Sequence, residues 1–213
     1  MKNRKVWIPI FVILGVITFI AFSILLHSLP ILIKRAQFPK DSPKYYQMTR
    51  QLMVAHFSDS EFRYREEGAF LICVFDEQKT GGKYQVEVAT KENGAYRLST
   101  NGIRTFHLLK EPFRGVYGVY YDSASESYCA VIEAQTDPNS GNHANSWNTA
   151  IIEDSQGNAY QRLPVQNQQI NVFYHVYDNS PDGVTIFANW KESESAYELG
   201  TFSDPVSGTS IGG

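Results

Sequence analysis

The chain has 213 residues, with 19 Lys and Arg against 22 Asp and Glu, for a formal net charge of −3. That balance excludes nucleic acid as an expected partner, because such binding rests on clustered Lys and Arg. Only two cysteines are present, too few to complete a structural zinc site on their own.

Residues 1–5 form a short basic tail carrying Lys2, Arg4 and Lys5. Behind it, Val6 to Ile33 run for 28 consecutive positions without Asp, Glu, Lys or Arg. About 20 such residues cross a hydrocarbon core of about 30 Å. A cleaved signal peptide would have an apolar stretch of about 7–15 residues before a small-residue cleavage site. Here Ala21-Phe22-Ser23 is followed by Ile24-Leu25-Leu26 instead of a polar start. The run therefore predicts an uncleaved transmembrane helix over 6–33, with membrane lipid as its partner. Pro9 falls in the first turns, and Pro30 is expected to end or kink the helix. Basic residues flank both sides (Lys2, Arg4 and Lys5 against Lys34, Arg35, Lys40 and Lys44), so charge counting leaves orientation open. An N-terminal signal-anchor before one large domain commonly exports that domain. The expected location is the cell membrane, single-pass, with the tail cytoplasmic and the C-terminal domain extracytoplasmic. The reversed topology would make the domain a cytosol-facing scaffold.

Residues 34–58 form a basic juxtamembrane segment. Asp41-Ser42-Pro43 offers a capping side chain followed by Pro in the first turn, the start of a helix. Tyr45, Met48 or Thr49, Leu52, Met53 and His56 then recur at helical spacing, which predicts one apolar face and an end near Phe57.

From Glu61 the period changes to two, and residues 59–202 read as a β-rich domain. Ala69 to Phe75 is apolar on both faces, the pattern of a buried central strand. Tyr84, Val86 and Val88 alternate with polar residues; Asn93-Gly94 signals a hairpin into Tyr96 and Leu98. Further strands are expected over 103–109, 116–121, 127–133, 149–153, 158–163, 170–177 and 184–190. Asp154-Ser-Gln-Gly157 makes a turn with Gly last. Residues 136–148 make the longest loop, and 203–213 a disordered tail. The fold class is thus mainly β (all-β or α+β), an antiparallel sandwich or partly closed sheet behind two helices. Glu92 to Leu98 also echoes Gln156 to Leu163, through duplication or through shared turn chemistry.

No catalytic signature emerges. The histidines (His27, His56, His107, His143 and His175) form no paired metal motif, and Asp137 to Asn142 has calcium-loop ingredients without the ligand order. No nucleophile elbow, phosphate loop or dinucleotide fingerprint is present, so neither a metal nor a cofactor is expected. Cys73 and Cys129 lie inside expected strands; in an oxidising exterior they could bridge, or both stay buried as free thiols. Aromatics are the remaining candidates. Tyr117, Tyr120, Tyr121, Trp147 and Trp190 are the expected binding residues where they are exposed, and core residues where they are not. The sequence predicts a membrane-anchored protein that binds a protein or cell-wall partner at the envelope. An envelope enzyme with dispersed active-site residues is the alternative.

Overall fold

A computed structural model describes residues 4–54, 57–58, 60–77, 83–99, 107–111, 113–136, 144–165, 170–190 and 195–202. The chain divides into two compact units, Met1–Ser58 and Asp59–Gly213.

The first unit is helical. Helix α1 (Arg4–Arg35) is 32 residues long. Its stretch Val12–Arg35 has a mean hydropathy of 2.4 and no buried part, which makes it long and apolar enough to cross a membrane. The Thr18 hydroxyl donates to the Leu14 carbonyl at 2.8 Å, so this polar group is satisfied within the helix. Pro30 neither ends nor interrupts α1, which runs a further turn to Arg35. A proline removes one i−4 hydrogen bond, and the bonds on either side carry the helix past it.

Helix α2 (Pro43–Met53) starts as its sequence predicts: Ser42 caps it by accepting the Tyr45 N–H, with Pro43 in the first turn. It is shorter and differently rotated than the periodicity implies. The buried residues are Pro43, Tyr46 and Gln47, whereas Met53 is exposed and Tyr45 packs under the Arg35 guanidinium. Val54, with extended backbone, stops the helix before Phe57.

The second unit is mostly β, and its described strands form open antiparallel sheets. The first sheet orders β1 (Glu61–Glu67), β2 (Phe70–Glu77), β3 (Lys83–Glu92) and β4 (Ala95–Leu98) consecutively. The second comprises β5 (His107–Leu108), β6 (Arg114–Asp122), β7 (Ser127–Gln135), β9 (Gln161–Leu163) and β10 (Ile170–Tyr177) in the order β5-β6-β7-β10-β9. The third places β11 (Thr185–Asn189) between β12 (Tyr197–Thr201) and β8 (Ile151–Asp154).

Side-chain alternation makes the five-stranded sheet the middle layer. Cys129 and Val131 of β7, with Ile170, Val172 and Tyr174 of β10, join Phe70, Ile72, Val74, Val86 and Val88 of the first sheet in one core. The intervening Ala130, Ile132, Ala134 and Phe173 join Ile152, Ile186, Ala188 and Leu199 of the third sheet in another. Covered on both faces, β7 and β10 need apolar residues at nearly every position, as their sequences have. The strand β12 escapes the sequence reading, since Tyr-Glu-Leu-Gly-Thr carries one large aliphatic residue and acquires its partner only in space.

The two echoing segments have different roles. Asn93-Gly94 closes the β3–β4 hairpin, both residues with positive φ. The Asp154–Gly157 turn instead ends β8 in the third sheet, and the chain then crosses to β9 in the middle one.

Candidate functional site

Four of the five aromatic candidates belong to the interior. Tyr120 lies between the first and middle sheets. Tyr117 faces the third sheet, where its hydroxyl donates to the Thr201 carbonyl at 2.9 Å and its ring packs against Gly200. Trp147 and Trp190 are buried with Phe113, ring centroids 5.4–5.7 Å apart. The sequence reads Trp147 as part of a long loop; it sits instead in a 3-10 turn, Ala144–Thr149, held to β9 by Arg162, which donates to the Asn148 carbonyl. A middle sheet covered on both sides leaves no open face for these rings. Tyr121, half-buried, is the one candidate that reaches a surface concavity.

Nor do the two cysteines pair. Both thiols are free and buried. Cys129 points toward the first sheet, but Cys73 alternates with Ile72 and Val74 and points to that sheet's far side, donating to the Glu87 carbonyl at 3.5 Å. A β-sheet separates the sulfurs, and facing sheets lie about 10 Å apart, beyond the reach of a disulfide. Burial, reinforced by the charge of Glu67, pushes the Cys129 thiol up.

Tyr121 belongs to a row. It stands opposite Tyr128 on β7, which stands opposite Tyr177 on β10, so three tyrosines line one face at one end of the middle sheet. The rings of Tyr121 and Tyr128 lie 4.8 Å apart and are half-buried. Tyr177 is buried and begins a hydrogen-bond chain. Its hydroxyl donates to Asp154 Oδ2 at 2.5 Å; its oxygen lies 2.9 Å from the Tyr160 hydroxyl. With the Tyr177 proton committed to Asp154, Tyr160 must donate to Tyr177. His175 packs edge-on against Tyr177 at 4.5 Å and lies 5.6 Å from the Tyr160 ring.

Asp154 accepts three further bonds: Gln156 N–H at 2.8 Å, Asn158 N–H at 2.9 Å and the Asn158 amide at 2.9 Å. Burial alone would raise its pKa, but these bonds and that from Tyr177 outweigh it and hold the carboxyl below its ordinary value. Burial first, then the bond to Asp154, pushes the Tyr177 phenol up; burial and its neighbour Tyr177 do the same to Tyr160. A second buried aspartate acts alike on the β6–β7 turn: Asp122 accepts from the Ser125 N–H at 2.9 Å and the Ser125 hydroxyl at 2.6 Å.

Between these two turns lie two adjoining open depressions, of about 380 and 300 Å³, which share Asp178, Asn179 and Ser180. Tyr121, Ser125, Glu126 and Tyr128 line one; Gln156, Asn158, His175 and Tyr177 line the other. The chain enters the β unit at the other end. Glu61 pairs with Asp76 and Asp76 with Tyr84, whose hydroxyl accepts from Gln135; Gln135 faces Arg114 and Ile170 across the middle sheet.

Among the described residues, no three His, Cys, Asp or Glu side chains converge in a way that could hold a metal ion. Residues 137–142, with the calcium-loop composition, and His56 and His143 lie outside the described residues. The sequence signal for the groove is its turn chemistry: Asp122 and Asp154 each precede a Ser and a tight turn, the pattern of an aspartate that caps its own loop. The row of tyrosines has no sequence signal, because it depends on strand register. Comparison of the chain with protein-family models, curated proteins and solved structures finds no match.

Proposed function

We propose that this is a single-pass membrane protein whose extracytoplasmic β domain binds a partner or ligand at the cell envelope, through the groove lined by Tyr121, Tyr128 and Asn179. One observation carries the anchored part of the reading: every residue of the apolar stretch from Val12 to Leu26 is exposed. An uncovered apolar surface of that length is unfavourable in water and matches a hydrocarbon core. The groove supports the binding part, since hydrogen bonds within the Asp122 and Asp154 turns hold its two sides. Behind the groove, the Asp154 carboxylate accepts four hydrogen bonds and is occupied in holding its own turn.

The test is protease treatment of intact, wall-stripped cells. The β domain should be digested and a fragment containing residues 6–33 left in the membrane. Full protection of the domain would reverse the topology, and a mature N-terminus beyond Ser23 would show that the apolar segment is removed.

A further inference from the structure

We infer that helix α2 lies on the bilayer surface, its apolar stripe in the interface and its basic residues against anionic phospholipid headgroups. The assignment rests on the membrane-anchored reading of α1 above. Pro43, Tyr46 and Gln47 are the buried residues of α2. With about 3.6 residues per turn, Tyr45, Met48 and Leu52 share the opposite side. All three are partly exposed, and Met53 in the last turn is exposed outright. A helix that meets only water on its outer side normally buries its apolar stripe and presents its amides. In α2 an amide is buried and the Tyr-Met-Leu stripe is left at the surface, the arrangement of a helix whose apolar side meets lipid.

Position supplies the lipid. Tyr45, the first residue of the stripe, lies under the guanidinium of Arg35, the last residue of α1, 5.3 Å from its ring centroid. The stripe therefore begins where the apolar stretch Val12–Arg35 ends. The link between the helices is folded on itself: Gln37 and Phe38 N–H groups donate to the Lys34 and Arg35 carbonyls, and Ser42 N–H to the Pro39 carbonyl, at 3.0–3.1 Å. A link closed in this way keeps the start of α2 beside the surface from which α1 emerges. Leu32 and Ile33, the last apolar residues of α1, are exposed too, so apolar surface stands on both sides of the link. Charge names the headgroup. From Lys34 to Val54 the chain carries Lys34, Arg35, Lys40, Lys44 and Arg50 against Asp41 alone. The three lysines are exposed. Basic residues just beyond a membrane span are drawn to an anionic leaflet, and their long stems lie along apolar surface while the charge stays among the headgroups.

The experiment uses the full chain in nanodiscs of phosphatidylcholine, alone or mixed with phosphatidylglycerol. A nitroxide is attached to one introduced cysteine, Met48→Cys or Leu52→Cys, with Ile20→Cys in α1 and Glu126→Cys on the β6–β7 turn as lipid and water references. Cys73 and Cys129 are buried, and the unsubstituted chain labelled alongside gives their background. Collision with oxygen, which concentrates in lipid, is compared with collision with a nickel chelate, which stays in water. In the anionic discs positions 48 and 52 should favour oxygen, as position 20 does, and in neutral discs they should shift toward the value at position 126. Lys34→Gln combined with Lys40→Gln should bring position 48 in anionic discs to its neutral-disc value. Water-like readings at 48 and 52 with a lipid-like reading at 20 would overturn the surface contact and leave the anchor standing. A water-like reading at 20 would overturn the anchor as well. Shielding of 48 and 52 from both probes would show that the stripe meets protein and would overturn the proposal. Lipid-like readings indifferent to lipid charge would overturn the anionic assignment.

Discussion

At the scale of single residues, Asp154 does the most. It accepts from two backbone N–H groups, one amide and one phenol, and so ties the end of β8, the start of the β9 crossing and the end of β10 together. Tyr177→Phe should destabilise the β unit by about 1–3 kcal/mol in urea unfolding, since it strands the Tyr160 hydroxyl in the interior and removes one of the four hydrogen bonds to Asp154. The depressed pKa of Asp154 gives a signed expectation. A carboxyl with a lower pKa folded than unfolded contributes stability above its ordinary value of 3.8, and that contribution is lost as pH falls through the folded value. Wild type should therefore lose stability more steeply than Asp154→Asn below about pH 4, read by near-UV circular dichroism melts. Equal acid slopes would show that the carboxylate contributes nothing. The cysteines give a second residue-scale expectation. Native protein at pH 8 should resist alkylation at Cys73 and Cys129, and denaturation without reductant should expose two reactive thiols by mass. A mass lacking both adducts until reductant is added would mean a bridge.

Among the elements, the clearest link from sequence to shape is the β3–β4 hairpin. Both central residues of its two-residue turn have positive φ, 50° at Asn93 and 73° at Gly94, the type I′ geometry that suits strand twist. Gly94→Ala meets no neighbour, so its cost should be the backbone strain alone, about 1–2 kcal/mol. Gly115, at the start of β6, is a different case. Its φ is +142°, and an added Cβ would lie 2.0 Å from the Glu133 carbonyl oxygen on β7. Gly115→Ala should therefore cost more than Gly94→Ala, by roughly 1–3 kcal/mol of overpacking beyond the strain. Thermal melts of the two variants side by side would test the order, and equal melting temperatures would contradict it. Strand legibility follows the same logic of local against distant causes. The strand β10 occupies the expected span 170–177, because burial on both faces writes itself into each residue. The strand β5 covers only His107–Leu108 of an expected seven residues, while 101–106 lie outside the described residues. In α2 the apolar periodicity pointed to Tyr45 and Met53, yet Pro43, Tyr46 and Gln47 are the residues buried. Helical spacing constrains which residues share a face, not which face meets a neighbour.

For the whole molecule, the division into an apolar helical unit and a β unit has one direct consequence. The chain should remain in the membrane pellet after alkaline carbonate extraction, and a chain lacking residues 1–35 should move to the supernatant. Release of the full chain by carbonate would show that Val12–Arg35 does not hold it in lipid. Within the β unit, the middle sheet is the structural hub: the apolar layers on its two faces contain most of the buried side chains. That placement explains why so many aromatics serve as core. A five-stranded sheet covered on both sides needs large side chains facing both ways, and Tyr117, Tyr120, Phe173 and Tyr174 supply them.

The amino-acid sequence by itself determined the local features. The apolar run, the Ser42-Pro43 helix start, the Asn93-Gly94 turn and the two-sided apolar strands each follow from the chemistry of a few neighbouring residues. Tertiary structure alone decided which aromatics reach solvent, that the two cysteines face different sides of a sheet, and that Tyr121, Tyr128 and Tyr177 form one row. It also joined Asp154 to Tyr177 and Tyr160, and set the β6–β7 and β8–β9 turns on either side of one groove. The reason is range. Turns, caps and periodicity act over a few residues, whereas register and layer order bring together positions 17 to 49 apart, and no local pattern encodes which strands will meet.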